Sequence, residues 1–424
     1  MTQTAPVNGH ALPTIVFPPP RRPRLAGIDM ARGLALLGMV AVHALVVITD
    51  DGAPTPLYTV VAGRSAALFA VLAGVGIAFT TGRARVVPGR PFLAAASALV
   101  ARAVGIGLIG LALGGTDAEI VSVILCYYAV LFLFAVPLVL LPTWAIAATG
   151  AVVAAGVPVL SHLLRPGLPV PDPDNPSFAQ LFGDPLGLLG ELTLTGAYPA
   201  LPWLAYLCAG LVVGRLQLES VRVAAGLVGA GVGAAVAATA ASLVLLHPLG
   251  GMAGIAAATP AEEVEGYRSI ADYVALLPSG TTPTTTWWWL AVASPHAGTT
   301  PDLVQTTGSA LAVIGAMLLL DRLAGSGPAR VVRLVGVPLA AAGSMTLTLY
   351  TASVLFMSSD LDVYEPMAGF LVQVAAGVVF AVMWRKAMGK GPLESLVSWA
   401  AHRSRAAVDR WDQLPAPTWR DRTW

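Results

Sequence analysis

The chain has 424 residues, 56% of them hydrophobic and only 11% charged, and its mean hydropathy is +0.75. A water-soluble protein of this length needs far more charge to cover its surface, so the composition excludes one and points to repeated membrane crossings. The net charge of +1 makes no case for nucleic acid, and Cys126 and Cys208 both lie in apolar stretches, which argues against a disulfide framework.

Residues 1–24 begin without a basic segment leading into an apolar run, and several prolines interrupt them, so they are predicted to be a disordered cytoplasmic tail rather than a signal peptide. Ten apolar helices are then predicted, near 27–49, 57–81, 92–113, 119–141, 143–164, 197–214, 221–246, 302–324, 332–357 and 363–387. Residues 25–388 therefore read as one all-α, polytopic membrane domain. Residues 389–424 contain "LESLVSWAAHRSRAAVDRW", amphipathic and basic, and are expected to lie as a tail on the inner membrane face.

The loops orient the domain. "RRPR", "TGRARVVPGR", "GRLQLESVR", "DRLAGSGPARVVR" and the tail from "WRKAMGK" onward carry most of the basic residues and alternate with loops holding acids such as Asp50, Asp51, Asp117, Asp172, Glu262 and Asp302. The positive-inside rule then puts both termini in the cytoplasm of a cell whose inner (plasma) membrane holds the protein. Two outer loops are long. The first, over 165–196, is too rich in proline for regular structure. The second, over 247–301, contains "TTPTTTWWWLAVASPHAGTT", whose tryptophans read either as an interfacial belt or as a stacking platform for sugar rings.

The first span, "GIDMARGLALLGMVAVHA", carries Asp29, Arg32 and His43. At 100° and about 1.5 Å per residue, all three fall on one stripe about 20 Å long. The second span adds Arg64, seven residues from its outer end and thus expected at the depth of His43, and the third places Arg102 near its middle. Charges at such depth are costly unless paired or hydrated, which makes each a functional candidate as well as a candidate helix fastener.

"IDMARGLALLGMVAVHA" resembles the first helix of the transmembrane acyltransferase superfamily, where an Asp precedes "RG" and an apolar run, and where one sugar O-acyltransferase branch spaces Arg and His as Arg32 and His43 are spaced here. "AGRSAALFAVLAGVGIAF" resembles the second helix of the heparan-alpha-glucosaminide N-acetyltransferase branch and its bacterial relatives. "ILCYYAVLFLFAVPLVLL", "YPALPWLAYLCAGLVVGR", "SPHAGTT", "GSMTLTLYTASVLF" and "GPLESLVSW" are similar to a bacterial YeiB-like membrane family. The lysosomal-type enzymes carry Asn where this chain has His43, and the loop "TDDGAPTP" that follows lacks their histidine.

The resemblance implies an acetyl or other acyl group taken from cytoplasmic acetyl-CoA and passed to a sugar or glycolipid acceptor outside. No metal is expected. Arg32, oriented by Asp29, would meet the phosphates of CoA, since bidentate phosphate contacts favour Arg. Arg102 would support the pantetheine arm. His43 would act as general base, with Arg64 keeping it neutral and steadying the oxyanion. Tyr198, Trp203, Trp287 and His296 would shape the acceptor pocket. Membrane lipids are the remaining partners, and a homo-oligomer is compatible with the sequence. A secondary transporter of an anionic or sugar-like solute is the competing reading; it requires broken helices and internal repeats, and no repeat is evident in the sequence.

Overall fold

The computed structural model describes residues 25–277, 279–323 and 329–410, the last of these with side chains from 333 onward. The tail expected over 1–24 and the final part of the C-terminal tail, 411–424, lie outside the described residues. Long apolar runs fold as helices because a helix satisfies its backbone internally, which hydrocarbon demands.

The first span is α1 (Ala26–Ala44). The second is divided at Ala62–Gly63 into α2 (Pro56–Val61) and α3 (Arg64–Thr80), and α4 (Arg90–Ala112), α5 (Leu125–Leu138) and α6 (Thr143–Leu164) follow. Short helices α7 (Phe178–Gly183) and α8 (Pro185–Gly190) lead through a π-turn at Glu191–Thr195 into α9 (Ala200–Gly214), and then α10 (Val221–Leu246) crosses back. The long second loop folds into α11 (Gly251–Ala257), α12 (Ala261–Val264) and α13 (Ile270–Leu276). It is followed by α14 (Thr300–Leu323), α15 (Ala329–Ala342), α16 (Thr346–Met357), α17 (Pro366–Ala387) and α18 (Pro392–Arg410).

Among the described residues, seven helices are long and apolar enough to cross a membrane, and two bent pairs raise that to nine. The expected span 119–141 differs. Its helix, α5, has only 14 residues, short of the roughly 20 that a crossing needs. Residues ahead of it are held open by Asn175, which is 4% exposed. The Asn175 side-chain oxygen accepts the Val123 amide at 2.7 Å, and its amide donates to the carbonyls of Val121 at 2.9 Å and Thr116 at 3.2 Å. Those bonds supply partners that a helix would otherwise have provided.

Two more expected spans differ from a simple straight crossing. The sixth, expected over 197–214, is the unbroken α9, joined at a 53° bend to a preceding helical segment, Pro185–Thr195, and the ninth bends by 77° between α15 and α16. At the second bend Gly343 lies directly on the Asp29 carbonyl of α1, where no side chain would fit. The N-terminus of α16 is capped from a distance by Glu394 of α18, whose carboxylate accepts the Leu347 amide at 2.6 Å, the Thr348 amide at 3.2 Å and the Thr348 hydroxyl at 2.6 Å. The amphipathic C-terminal helix also packs along α4.

The core centres on α3, whose Ala67, Ala70, Val71, Val75 and Ala78 are fully enclosed among α1, α9 and α14. Gly74 against Gly210, and Gly231 against Gly308, bring backbones into contact, the small-residue packing of membrane helices. Loops gather at two ends. At the basic end Arg83 pairs with Glu219 at 2.7 Å and Arg85 donates to the Leu140 carbonyl. At the acidic end the second long loop forms its own small core around Tyr273 and Trp289. Arg268 pairs within that cap with Asp272 at 3.1 Å and ties it to Asp51, in the loop after α1, at 3.5 Å.

Candidate active site

One face of α1 runs through the middle of the bundle, and Arg32, Met39 and His43 stand along it at helical spacing. On the basic side of Met39 a cavity of about 380 Å³ opens between α1, α3, α4, α5, α16 and α18. Arg32 and Arg102 both face it, close enough to repel each other, and Glu394 stands on its wall. Arg32 is held by Asp29, which is buried, at 3.3 Å. Gly76 on α3 leaves the guanidinium its room, since a Cβ there would stand 3.2 Å from Nη2. The volume suits the arm of a large ligand, and the two guanidiniums suit its phosphates.

On the acidic side lies a much smaller chamber, about 40 Å³ in volume. His43, Tyr198, His296, Ser65 and Ser122 line it. Met39, Ile124 and Tyr350 line both spaces, so a single layer of side chains separates them. The α1 helix ends at Ala44 rather than at the expected 49, so His43 occupies its last turn and not a position well below its end. The ring remains covered because the 117–124 segment folds over it, with the Ile120 backbone as hydrogen-bonding neighbour.

His296 reaches the same chamber from 253 positions away in sequence. It holds a φ of 57°, a left-handed conformation uncommon outside glycine, and its carbonyl accepts the Gly280 amide at 2.8 Å. Gly63, itself at φ 71°, admits the loop: a Cβ there would lie 3.1 Å from the Pro295 Cα. Burial, and then the neighbouring His43, push the His296 imidazole down to about 4. A charge on one ring of the chamber therefore disfavours a charge on the other.

The loop carrying His296 is fastened by the start of α14. Thr299 and Asp302 stand in the S/T-x-x-D arrangement of a capping box. The Asp302 amide donates to the Thr299 hydroxyl at 3.3 Å, and the Asp302 carboxylate accepts the Gly298 amide at 2.9 Å. Asp302 is 2% exposed. "TTPD" is a legible capping pattern, yet sequence reasoning treated Asp302 only as an outer-loop acid. Asn175, Glu394 and Tyr350 were also missed, and for Asn175 and Tyr350 no local pattern distinguishes them.

The other nominated residues separate. Gly63 and Ser65 line the chamber, so Arg64 has the expected depth, but its guanidinium turns away. It donates to the carbonyls of Thr59 at 2.6 Å and Val60 at 3.4 Å, capping α2, and Asp302 is the charge it senses. Tyr198 meets His296 edge to face at 5.5 Å and Trp203 at 5.4 Å, but Trp203 sits behind it in the core. Trp287 lies apart, 56% exposed and against His162 at 4.7 Å. The three tryptophans diverge rather than forming a platform: Trp288 covers Gly251 and Gly254, and Trp289 is buried beside Tyr273.

Residues 24–244 match the family described as heparan-alpha-glucosaminide N-acetyltransferase, catalytic. The chain belongs to this family. No curated protein matches the chain. Membership in the heparan-alpha-glucosaminide N-acetyltransferase family makes the protein a multi-pass membrane acetyltransferase, and the family uses acetyl-CoA as donor. The matched segment contains Asp29, Arg32, His43, Arg102 and Tyr198. His296, Asp302, Tyr350 and Glu394 lie beyond it and complete the same two cavities.

Proposed function

We propose that the protein takes an acetyl group from acetyl-CoA bound at the basic, cytoplasmic end and delivers it to a sugar or glycolipid acceptor at the acidic, outer end, with His43 as general base. The observation that carries this reading is the meeting of the Arg32–Arg102 cavity with the His43–His296 chamber across one layer of side chains. Neither substrate then needs to cross: only the thioester end must reach Tyr350 and Met39. Arg32, steadied by Asp29, binds phosphate, and Arg102 supports the arm of the donor. His43 removes the proton from the acceptor's hydroxyl or amine as it attacks. Tyr198 and His296 border the acceptor's reacting atom. Arg64 acts at a distance, through the Asp302 side of the His296 loop.

The chamber is too small for a sugar ring and large enough for an acetyl group, which favours a short acyl donor and an acceptor that presents one group at the chamber's edge. The broken spans give the transporter reading its own support, because discontinuous helices surround solute sites in transporters. Labelled acetyl-CoA mixed with the purified protein in nanodiscs separates the two. Transfer to an amino sugar, or slow hydrolysis without one, is the expected result. Binding of an unrelated solute with no turnover of acetyl-CoA would favour transport instead. Mass spectrometry of envelope glycolipids with and without the gene then identifies the acceptor.

A further inference from the structure

We propose that Tyr350 is a catalytic residue of the transfer, its hydroxyl donating a hydrogen bond to the thioester carbonyl oxygen of the acyl donor. This rests on the acetyl-transfer reading above. Tyr350 belongs to the layer between the cavities and is 5% exposed. Its oxygen is already an acceptor, taking the Ile124 amide at 3.2 Å. Among the described residues no acceptor takes its own proton. Nearby tyrosines differ: Tyr128 donates to the Ala66 carbonyl at 3.2 Å and Tyr198 to the Ser122 carbonyl at 3.4 Å. A buried hydroxyl with an unspent proton is costly, so one held at the junction of two cavities points to a ligand acceptor there.

The break before α16 sets this up. The helix starts afresh at Thr346, capped by Glu394, and carries Tyr350 one turn into the bundle. The Ile124 amide fixes the phenol oxygen and polarises its O–H. In the reaction, the acceptor's oxygen or nitrogen forms a bond to the thioester carbon, and the carbonyl π pair moves onto oxygen, where the Tyr350 O–H holds it. The acceptor's proton passes to His43. As the carbonyl re-forms, the carbon–sulfur bond breaks and the CoA thiolate leaves, to be protonated by His43 or water. Atoms and charge balance with no further reactant.

Tyr350→Phe keeps the ring and removes only the hydroxyl. Turnover with acetyl-CoA and an amino-sugar acceptor should fall by about 10²-fold, the scale for loss of one oxyanion donor, with acetyl-CoA affinity within about twofold of wild type. Infrared difference spectra of wild-type protein with carbonyl-¹³C acetyl-CoA give a second measurement that needs no variant. The carbonyl band should shift to lower frequency on binding, and the shift should vanish in Tyr350→Phe. A wild type that transfers acetyl normally while Tyr350→Phe keeps its turnover, or whose carbonyl band does not move, overturns this role and leaves the transfer reading standing. A wild type without any transfer overturns both.

Discussion

The carboxylate of Asp302 accepts the amide of Gly298 at 2.9 Å, and this bond braces the loop that turns His296 into the chamber. Asp302→Ala leaves that amide unpaired in a buried place and should destabilise the fold by about 1–3 kcal/mol. It should also lower turnover, because His296 at φ 57° relaxes once the brace is gone. Asp302→Asn retains an accepting oxygen and should recover most of both. The proposed donor site is the other cavity, so acetyl-CoA affinity is the internal control, and an Asp302→Ala enzyme with unaltered turnover would contradict the positioning role.

Arg32→Ala should weaken acetyl-CoA binding by about 1.5–3 kcal/mol, the worth of a charge-assisted bond, while Arg32→Lys restores the charge but not the fork and recovers part of it. Gly76→Val provides an independent approach, since its side chain would press on the guanidinium without removing any charge. Calorimetric titration with CoA checks all three. Unchanged affinity in Arg32→Ala rules out the phosphate contact.

His43→Ala should reduce turnover by about 10²–10⁴-fold with little effect on donor affinity. His43→Asn is the sharper substitution, because it keeps a hydrogen-bonding group for the Ile120 backbone but cannot carry a proton near neutral pH. Near wild-type transfer by His43→Asn would make His43 a packing residue and transfer the role of base to His296.

Acid should destabilise the protein through His296. Its imidazole sits at about 4 in the folded chain against 6.5 when free. The unfolded chain therefore binds the proton more readily, so this contribution to stability is complete above about pH 6.5 and is lost as pH falls toward 4. His296→Gln removes the group, and its melting temperature should fall less than that of wild type between pH 7.5 and pH 5. An equal or steeper fall in the variant would refute the assignment.

Orientation is testable with impermeant thiol reagents on intact cells. Asp174→Cys, in the exposed part of the first long loop, should react from outside, and Ala84→Cys, exposed at the basic end, should not. The background is low because Cys126 and Cys208 are both buried. Reversed labelling would place the Arg32 cavity outside the cell and sink the cytoplasmic donor site.

Much of this was legible along single helices. The Arg32–His43 stripe needs only the helical repeat, and α1 does align Arg32, Met39 and His43 along both cavities. Hydropathy located most crossings but averages over windows longer than the breaks at Ala62–Gly63 and 343–345, so it ran through both. The shortening of α5 depends on Asn175, 52 positions from Val123, and no local periodicity records that bond. Arg64 shows the remaining gap: depth follows from position, but the direction of a long side chain depends on which carbonyls a helix break exposes, here those of Thr59 and Val60.

The layer formed by Met39, Ile124 and Tyr350 has a bearing on the cell as well as on catalysis. Two hollows that, under the proposed function, enter a bilayer from opposite faces and stop one layer of side chains apart are an ion leak that has been plugged. The plug must part around a thioester during each cycle and still insulate a charged membrane. Under the proposed function that plug need part only for a two-carbon fragment, and trimming Met39 should cost proton tightness before it costs activity.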